Sequence, residues 1–216
     1  MSLIAILGGT GKEGQGLAMR FAARGRTVVL GSREKAKGER IAAELNLKLG
    51  SDLVTGAENL DAARAGSVIV STLPYPGHTE TARELADAIA GKLLVTATIR
   101  WPPALDGAPS AAEELAQVLD PSTRLAAAFQ TVSAHSLKNL ESEPEDVLVF
   151  AAAAETRREA MALVDATGLR GIDAGPLEKT RIAEALTGLL LGVNKRYGVK
   201  STGVRITGLP PLGPEL

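Results

Sequence analysis

The chain has 216 residues, with 24 Lys and Arg against 25 Asp and Glu, so it is nearly neutral. That balance gives no electrostatic footprint for nucleic acid, and the complete lack of cysteine excludes disulfides, thiolate chemistry and cysteine metal sites. No apolar run approaches the roughly 18 residues of a membrane helix, and nothing at the N-terminus reads as a signal peptide. A cytoplasmic protein is expected, with one full domain and a smaller appendage.

Leu3–Leu7 is an all-apolar run closed by glycines, which reads as a buried strand. Lys12–Arg24 follows with Leu17, Ala18, Phe21 and Ala22 at helical spacing. Thr27–Leu30 is a second strand and Glu34–Leu49 a second helix; Leu53–Thr55, Ser67–Ser71 and Leu93–Thr96 are further strands. Thr79–Ala90 reads as a helix with Leu85, Ala86 and Ile89 on one stripe. The rhythm continues through Glu113–Leu119 (helix), Leu125–Phe129 and Val147–Ala151 (strands), Glu155–Thr167 (helix) and a short strand ending at Asp173. Strands alternating with helices predict an α/β protein of Rossmann type, with a doubly wound, mostly parallel sheet.

From Pro176 the character changes. Leu177–Val193 is a long helix with Ile182, Leu186, Leu189, Leu190 and Val193 on a wide apolar face, suited to a core or to a dimer contact. The boundary falls near Gly175, giving residues 1–175 as a dinucleotide-binding domain and 176–216 as a small, mainly helical unit that closes the cleft.

Gly9, Gly11 and Gly14 form G-x-G-x-x-G between a strand and a helix. Gly9 permits the turn, Gly11 lets the backbone approach a pyrophosphate, and Gly14 allows close packing of helix on strand. The helix start offers unpaired N–H groups, so Thr10, Lys12 and Glu13 belong to the same candidate site. Lys12 comes too early for the lysine of a nucleoside-triphosphate loop.

After the second strand stand Ser32 and Arg33, where an NAD site places a carboxylate for the ribose 2′-OH. A hydroxyl, a guanidinium and the ammonium of Lys37, with Lys35 as the alternative, suit a 2′-phosphate instead. NADP is therefore expected over NAD. Leu73, Pro74 and Tyr75 follow the fourth strand and would wall the nicotinamide. His78 either caps the next helix or touches the cofactor; His135, near Gln130, Thr131 and Ser133, either is solvated or touches a second substrate. No Tyr-x-x-x-Lys pair and no histidine pair at metal-ligand spacing is present, so no catalytic side chain and no metal is expected; both redox partners would carry the chemistry. Between positions 178 and 205, Lys179, Arg181, Lys195, Arg196, Lys200 and Arg205 outnumber the acids and suit either solvent or an acidic ligand.

The segments "ILGGTGKEGQGLA", "VVLGSREKAK", "STLPYPGHTETARELADAI", "DAGPLEKTRIAEALTGLLLGVNKRYG" and "GVRITGLP", in this order, resemble the family of coenzyme F420-dependent NADP oxidoreductases. The resemblance implies NADP on Thr10 and the glycine loop, with its 2′-phosphate near Ser32, Arg33 and Lys37. It also implies the deazaflavin F420 between the two domains, its C5 facing nicotinamide C4 for direct hydride transfer, and a homodimer. In the family a histidine stands beside the deazaflavin; Gln130 occupies that place here, and glutamine does not titrate near neutrality. The alternatives are an NADPH-dependent flavin or small-carbonyl reductase and a non-catalytic NADP-sensing protein.

Overall fold

The computed structural model describes residues 2–103 and 107–209; residues 210–216 of the expected C-terminal unit lie outside them. Eight strands form one sheet: β1 (Ile4–Leu7), β2 (Val28–Ser32), β3 (Val54–Glu58), β4 (Val68–Ser71), β5 (Leu93–Thr96), β6 (Arg124–Ala127), β7 (Asp146–Ala151) and β8 (Arg170–Gly175). Their order across the sheet is β3-β2-β1-β4-β5-β6-β7-β8. All neighbours are parallel except β6 and β7, which pair antiparallel through Ala126 with Ala151 and Ala127 with Phe150. The sheet reverses direction of growth between β1 and β4, and their adjacent C-terminal ends, Leu7 beside Ser71, open a crevice there.

Alternate residues of each strand feed two cores. Ile4 and Ile6 pack with Leu17 and Phe21 of α1 (Lys12–Ala23), with Ile41 and Leu45 of α2 (Lys35–Leu49), and with Val164, the last in a helix farther along the chain. Ala5 and Leu7 face the opposite layer, which includes Ala62 and Ala63 of α3 (Asn59–Ala65), Ala82 of α4 (His78–Glu84) and Ile89 of α5 (Ala86–Ile89). The expected helix over 79–90 is thus two helices broken at Leu85, and α3 has no counterpart in the sequence reading.

The next helix, α6 (Ala111–Ala116), begins two residues before the expected start. Ser110 caps it, its Oγ accepting the Glu113 N–H while the Glu113 carboxylate accepts the Ser110 N–H. A short α7 (Ala134–Lys138), also not anticipated, packs on α1, and Arg20 of α1 donates to the carbonyls of Ser136, Leu137 and Asn139. α8 (Ala154–Asp165), which carries Val164, covers β7 and β8.

After a 3-10 turn at Leu177–Lys179, α9 (Thr180–Tyr197) docks through Thr180, Ala183 and Glu184. The wide apolar face expected on this helix is mostly not buried in the chain: Ile182 and Leu189 are 64% and 61% exposed, and Leu191 is exposed as well. The following segment runs back along β7, the Asp146 N–H donating to the Val204 carbonyl (2.9 Å) and the Ile206 N–H to Asp146 Oδ2 (2.6 Å).

Candidate cofactor cleft

The glycine loop leaves β1 with Gly8 at φ +68, a left-handed conformation that favours glycine. Asn59, the first residue of α3, accepts the Gly8 N–H through Oδ1 at 3.1 Å, and the Gly9 N–H donates to the carbonyl of Gly31 at 2.9 Å. The loop is therefore tied to both β2 and α3. A Cβ on Gly14 would lie 2.5 Å from the Gly9 Cα, so this position admits no side chain. A Cβ on Gly11 would meet only the Gly8 carbonyl at 3.6 Å, which leaves that face of the backbone open to a ligand.

Gly11 is the N-cap of α1 and offers no side-chain cap. Its first backbone bond runs from Gln15 to the Gly11 carbonyl, and the N–H groups of Lys12, Glu13 and Gly14 have no acceptor among the described residues. Donors of this kind at the positive end of a helix suit phosphate oxygens.

A cleft of about 420 Å³ opens from this point. Thr10 and Gly11 form its floor, and Ser32, Arg33, Glu34 and Lys37 close one end. Ser32 is buried and its Oγ accepts the Glu34 N–H at 3.2 Å. Arg33 and Lys37 are exposed and form no ion pair among the described residues, whereas Lys35 turns to Glu39 across 3.8 Å. Lys37, rather than Lys35, is the ammonium at the cleft. Thr72, Leu73, Pro74, Pro76 and Gly77 build the facing wall.

Tyr75 and His78 lie outside these walls. The His78 ring is buried, its Nε2 donates to the Ala111 carbonyl at 3.1 Å, and the Tyr75 ring packs against it with centroids 5.3 Å apart. His78 joins α4 to α6. Asn59 and Thr72 are cleft residues that the sequence did not single out; Asn59 starts the helix that was not anticipated, so no periodicity pointed to it.

Gln130 sits apart from the cleft floor, three residues beyond the end of β6. The preceding residue, buried Phe129, holds φ +74, a conformation that costs a non-glycine residue and re-aims the chain. Gln130 Nε2 donates to the Thr96 carbonyl (3.0 Å), its own carbonyl accepts from Thr187 Oγ1 of α9 (2.7 Å), and its side-chain Oε1 is buried without a partner among the described residues. Gln130, Thr187, Leu190, Asn194 and Thr202 line a small recess between β6 and α9. His135 lines a different cavity, with Glu145 and Arg205.

Of the basic residues near the C-terminus, Arg181 is paired with Glu113 and Arg205 with Glu143. Glu184 is fully buried, and its Oε1 accepts the Ala111 N–H at 2.9 Å. Burial, reinforced by the charges of Glu114 and Glu113, pushes its carboxyl up to about 7. Among the described residues there is no metal-ligating cluster and no helix long and apolar enough to cross a membrane.

Residues 3–100 match the family model described as NADP oxidoreductase coenzyme F420-dependent. The chain is 38% identical over 224 residues to the F420-dependent NADP reductase of Methanothermobacter thermautotrophicus, covering 96% of this chain and 95% of that one. It is also 38% identical over 222 residues to the enzyme of the same name from Methanocaldococcus jannaschii, covering 95% and 98%. Its fold is similar to that of a crystal structure described only as a candidate F420-dependent NADP-reductase from Arthrobacter sp. FB24. That match has a TM-score of 0.78 at 23% identity and covers 94% and 98% of the two chains. With nearly end-to-end identity of this level to two such reductases, the chain belongs to the family of F420-dependent NADP oxidoreductases.

Proposed function

We propose that the protein transfers a hydride directly between NADP(H) and coenzyme F420. The observation that carries this reading is the cleft at the β1/β4 crevice, with helix donors at one end and, at the other beside the Ser32 hydroxyl, Arg33 and Lys37, none of them paired among the described residues. That spacing of sites suits a pyrophosphate and a 2′-phosphate on one ligand, and the names of the relatives supply its redox partner.

When bound, the nicotinamide and deazaflavin rings supply the hydride chemistry themselves. The chain's part is to hold and to dry them. Thr10 and the N–H groups of Lys12, Glu13 and Gly14 hold the pyrophosphate, while Ser32, Arg33 and Lys37 fix the adenosine end. Leu73 and Pro74 present a stiff wall that excludes water from one ring face. Gln130 lines the recess against α9, the side on which we place the deazaflavin. Residues 176–216 then act as the cover of the acceptor site.

Mixing the purified protein with NADPH and F420 should bleach the deazaflavin absorbance as NADPH is consumed. Bound NADPH with unchanged F420, and turnover with a free flavin or a small carbonyl compound instead, would reject F420 as the partner.

We further infer a homodimer in the cytoplasm. The outward Ile182 and Leu189, two turns apart on one face of α9, are the apolar contact that a second copy of this chain would cover. Sedimentation should give twice the 22.3 kDa chain mass, with Leu189→Glu shifting the protein to the single-chain mass; a wild-type monomer at micromolar concentration sinks the dimer.

A further inference from the structure

Glu13 is an acid in a place prepared for anions. It stands in the first turn of α1, between Gly11 and Gly14, and its own N–H is one of the three free donors. Its side chain is half-buried and forms no hydrogen bond or ion pair among the described residues. Glu13, Gly16, Leu17 and Arg20 lie on one helical stripe, and Gly16 and Arg20 meet α7. The carboxyl therefore sits at the end of a packed seam and not on the open side of the helix.

None of the charged groups around it forms an ion pair with it among the described residues. On α1 itself, Lys12 is exposed, and Arg20 is committed to the carbonyls of α7 and to Ser142 Oγ. On α7, Lys138 donates to Gln15, and His135 faces the cavity of Glu145. Lys48 stands at the far end of α2, and Arg33, Glu34 and Lys37 at the other end of the cleft. Burial without a partner pushes the Glu13 carboxyl up to about 8, so it is mostly uncharged at neutral pH.

We propose that Glu13 makes NADP(H) binding proton-linked: the cofactor binds the form of the protein in which this carboxyl is uncharged, and ionisation of Glu13 promotes its release. This rests on the reading that the cofactor's pyrophosphate occupies the glycine loop. A phosphate held by the Glu13 N–H lies within roughly 8 Å of the carboxyl of the same residue, by covalent reach alone. At that distance, in a half-buried setting, a carboxylate weakens a bound phosphate on the order of tenfold. The sign follows directly. Binding holds the proton on Glu13 more tightly, so above about pH 8 NADP+ takes up a proton as it binds, and affinity falls as pH rises.

Calorimetric titration of NADP+ into wild type and Glu13→Gln between pH 7 and 9.5, in buffers of different ionisation heat, tests this. The wild-type Kd should rise about tenfold over that range, with uptake of a large fraction of one proton at pH 8.5. Glu13→Gln should keep the neutral shape, bind with a nearly constant Kd and take up no proton. The 2′-phosphate does not mimic the effect, because phosphate monoesters complete their ionisation near about 6. The same pH slope and proton uptake in both proteins would overturn the proposal. Absence of NADP+ binding to either folded protein at every pH would overturn the cofactor reading beneath it, an outcome separate from binding without linkage.

Discussion

Arg33→Ala should weaken NADPH binding by tenfold to about a hundredfold while leaving NADH within about twofold. Hydrogen bonds to charged groups contribute roughly 1.5–3 kcal/mol each, and the guanidinium offers a planar fork that matches phosphate oxygens. Arg33 is exposed at the rim of the cleft and engaged by no carboxylate among the described residues, so no internal pair has to break before it meets a ligand. Its removal leaves the fold intact for the same reason. Lys37→Ala should show the same preference with a smaller loss, since an ammonium acts as a point charge. The pair should be non-additive, because both act on one phosphate. Fluorescence titration of the two reduced cofactors at fixed ionic strength measures the ratio, and fixing the salt matters for exposed charges. Parallel losses for NADH and NADPH would refute a 2′-phosphate site at the end of β2.

Glu184→Gln should stabilise the protein at pH 8 and leave it near parity at pH 5. The buried carboxyl is raised from 4.5 to about 7 in the folded chain, first by desolvation and then by the neighbouring Glu114 and Glu113 charges. The folded state therefore holds this proton more tightly than the unfolded state does. The resulting stability is fully present below about 4.5 and is lost as pH rises through about 7. The gap corresponds to about 3 kcal/mol at pH 8. Glutamine keeps an oxygen for the Ala111 N–H and has no proton to lose. Urea unfolding at the two pH values checks the sign: a variant equal to or less stable than wild type at pH 8 would show that Glu184 is stabilising as a carboxylate.

Much of this architecture is legible in local pattern. The apolar run of β1, the spacing of α1 and the glycines between them identify the loop because each serves a nearby backbone demand. Ser110 and Glu113 carry the cap of α6 in plain view, yet a reading by apolar spacing alone starts that helix too late. The alanine-rich α3 was not recognised, because short alanine runs carry little amphipathic contrast, and with it went Asn59, which ties the glycine loop to the opposite helical layer. Long-range pairing decided other roles. His78 follows Leu73 and Pro74 of the cleft wall in the chain but turns inward to Ala111, and Tyr75 turns with it.

The glycine loop and the hydroxyl and basic groups at the end of β2 are readable from residue order, because a glycine turn, a helix start and a strand end each involve only a few consecutive residues. Which polar groups are paired is not. That Arg181 is taken by Glu113, and that the Glu13 and Glu184 carboxyls are raised to about 8 and about 7, depend on neighbours distant in sequence or on burial. Desolvation and pairing are properties of packed surroundings, and only the folded chain brings those surroundings together.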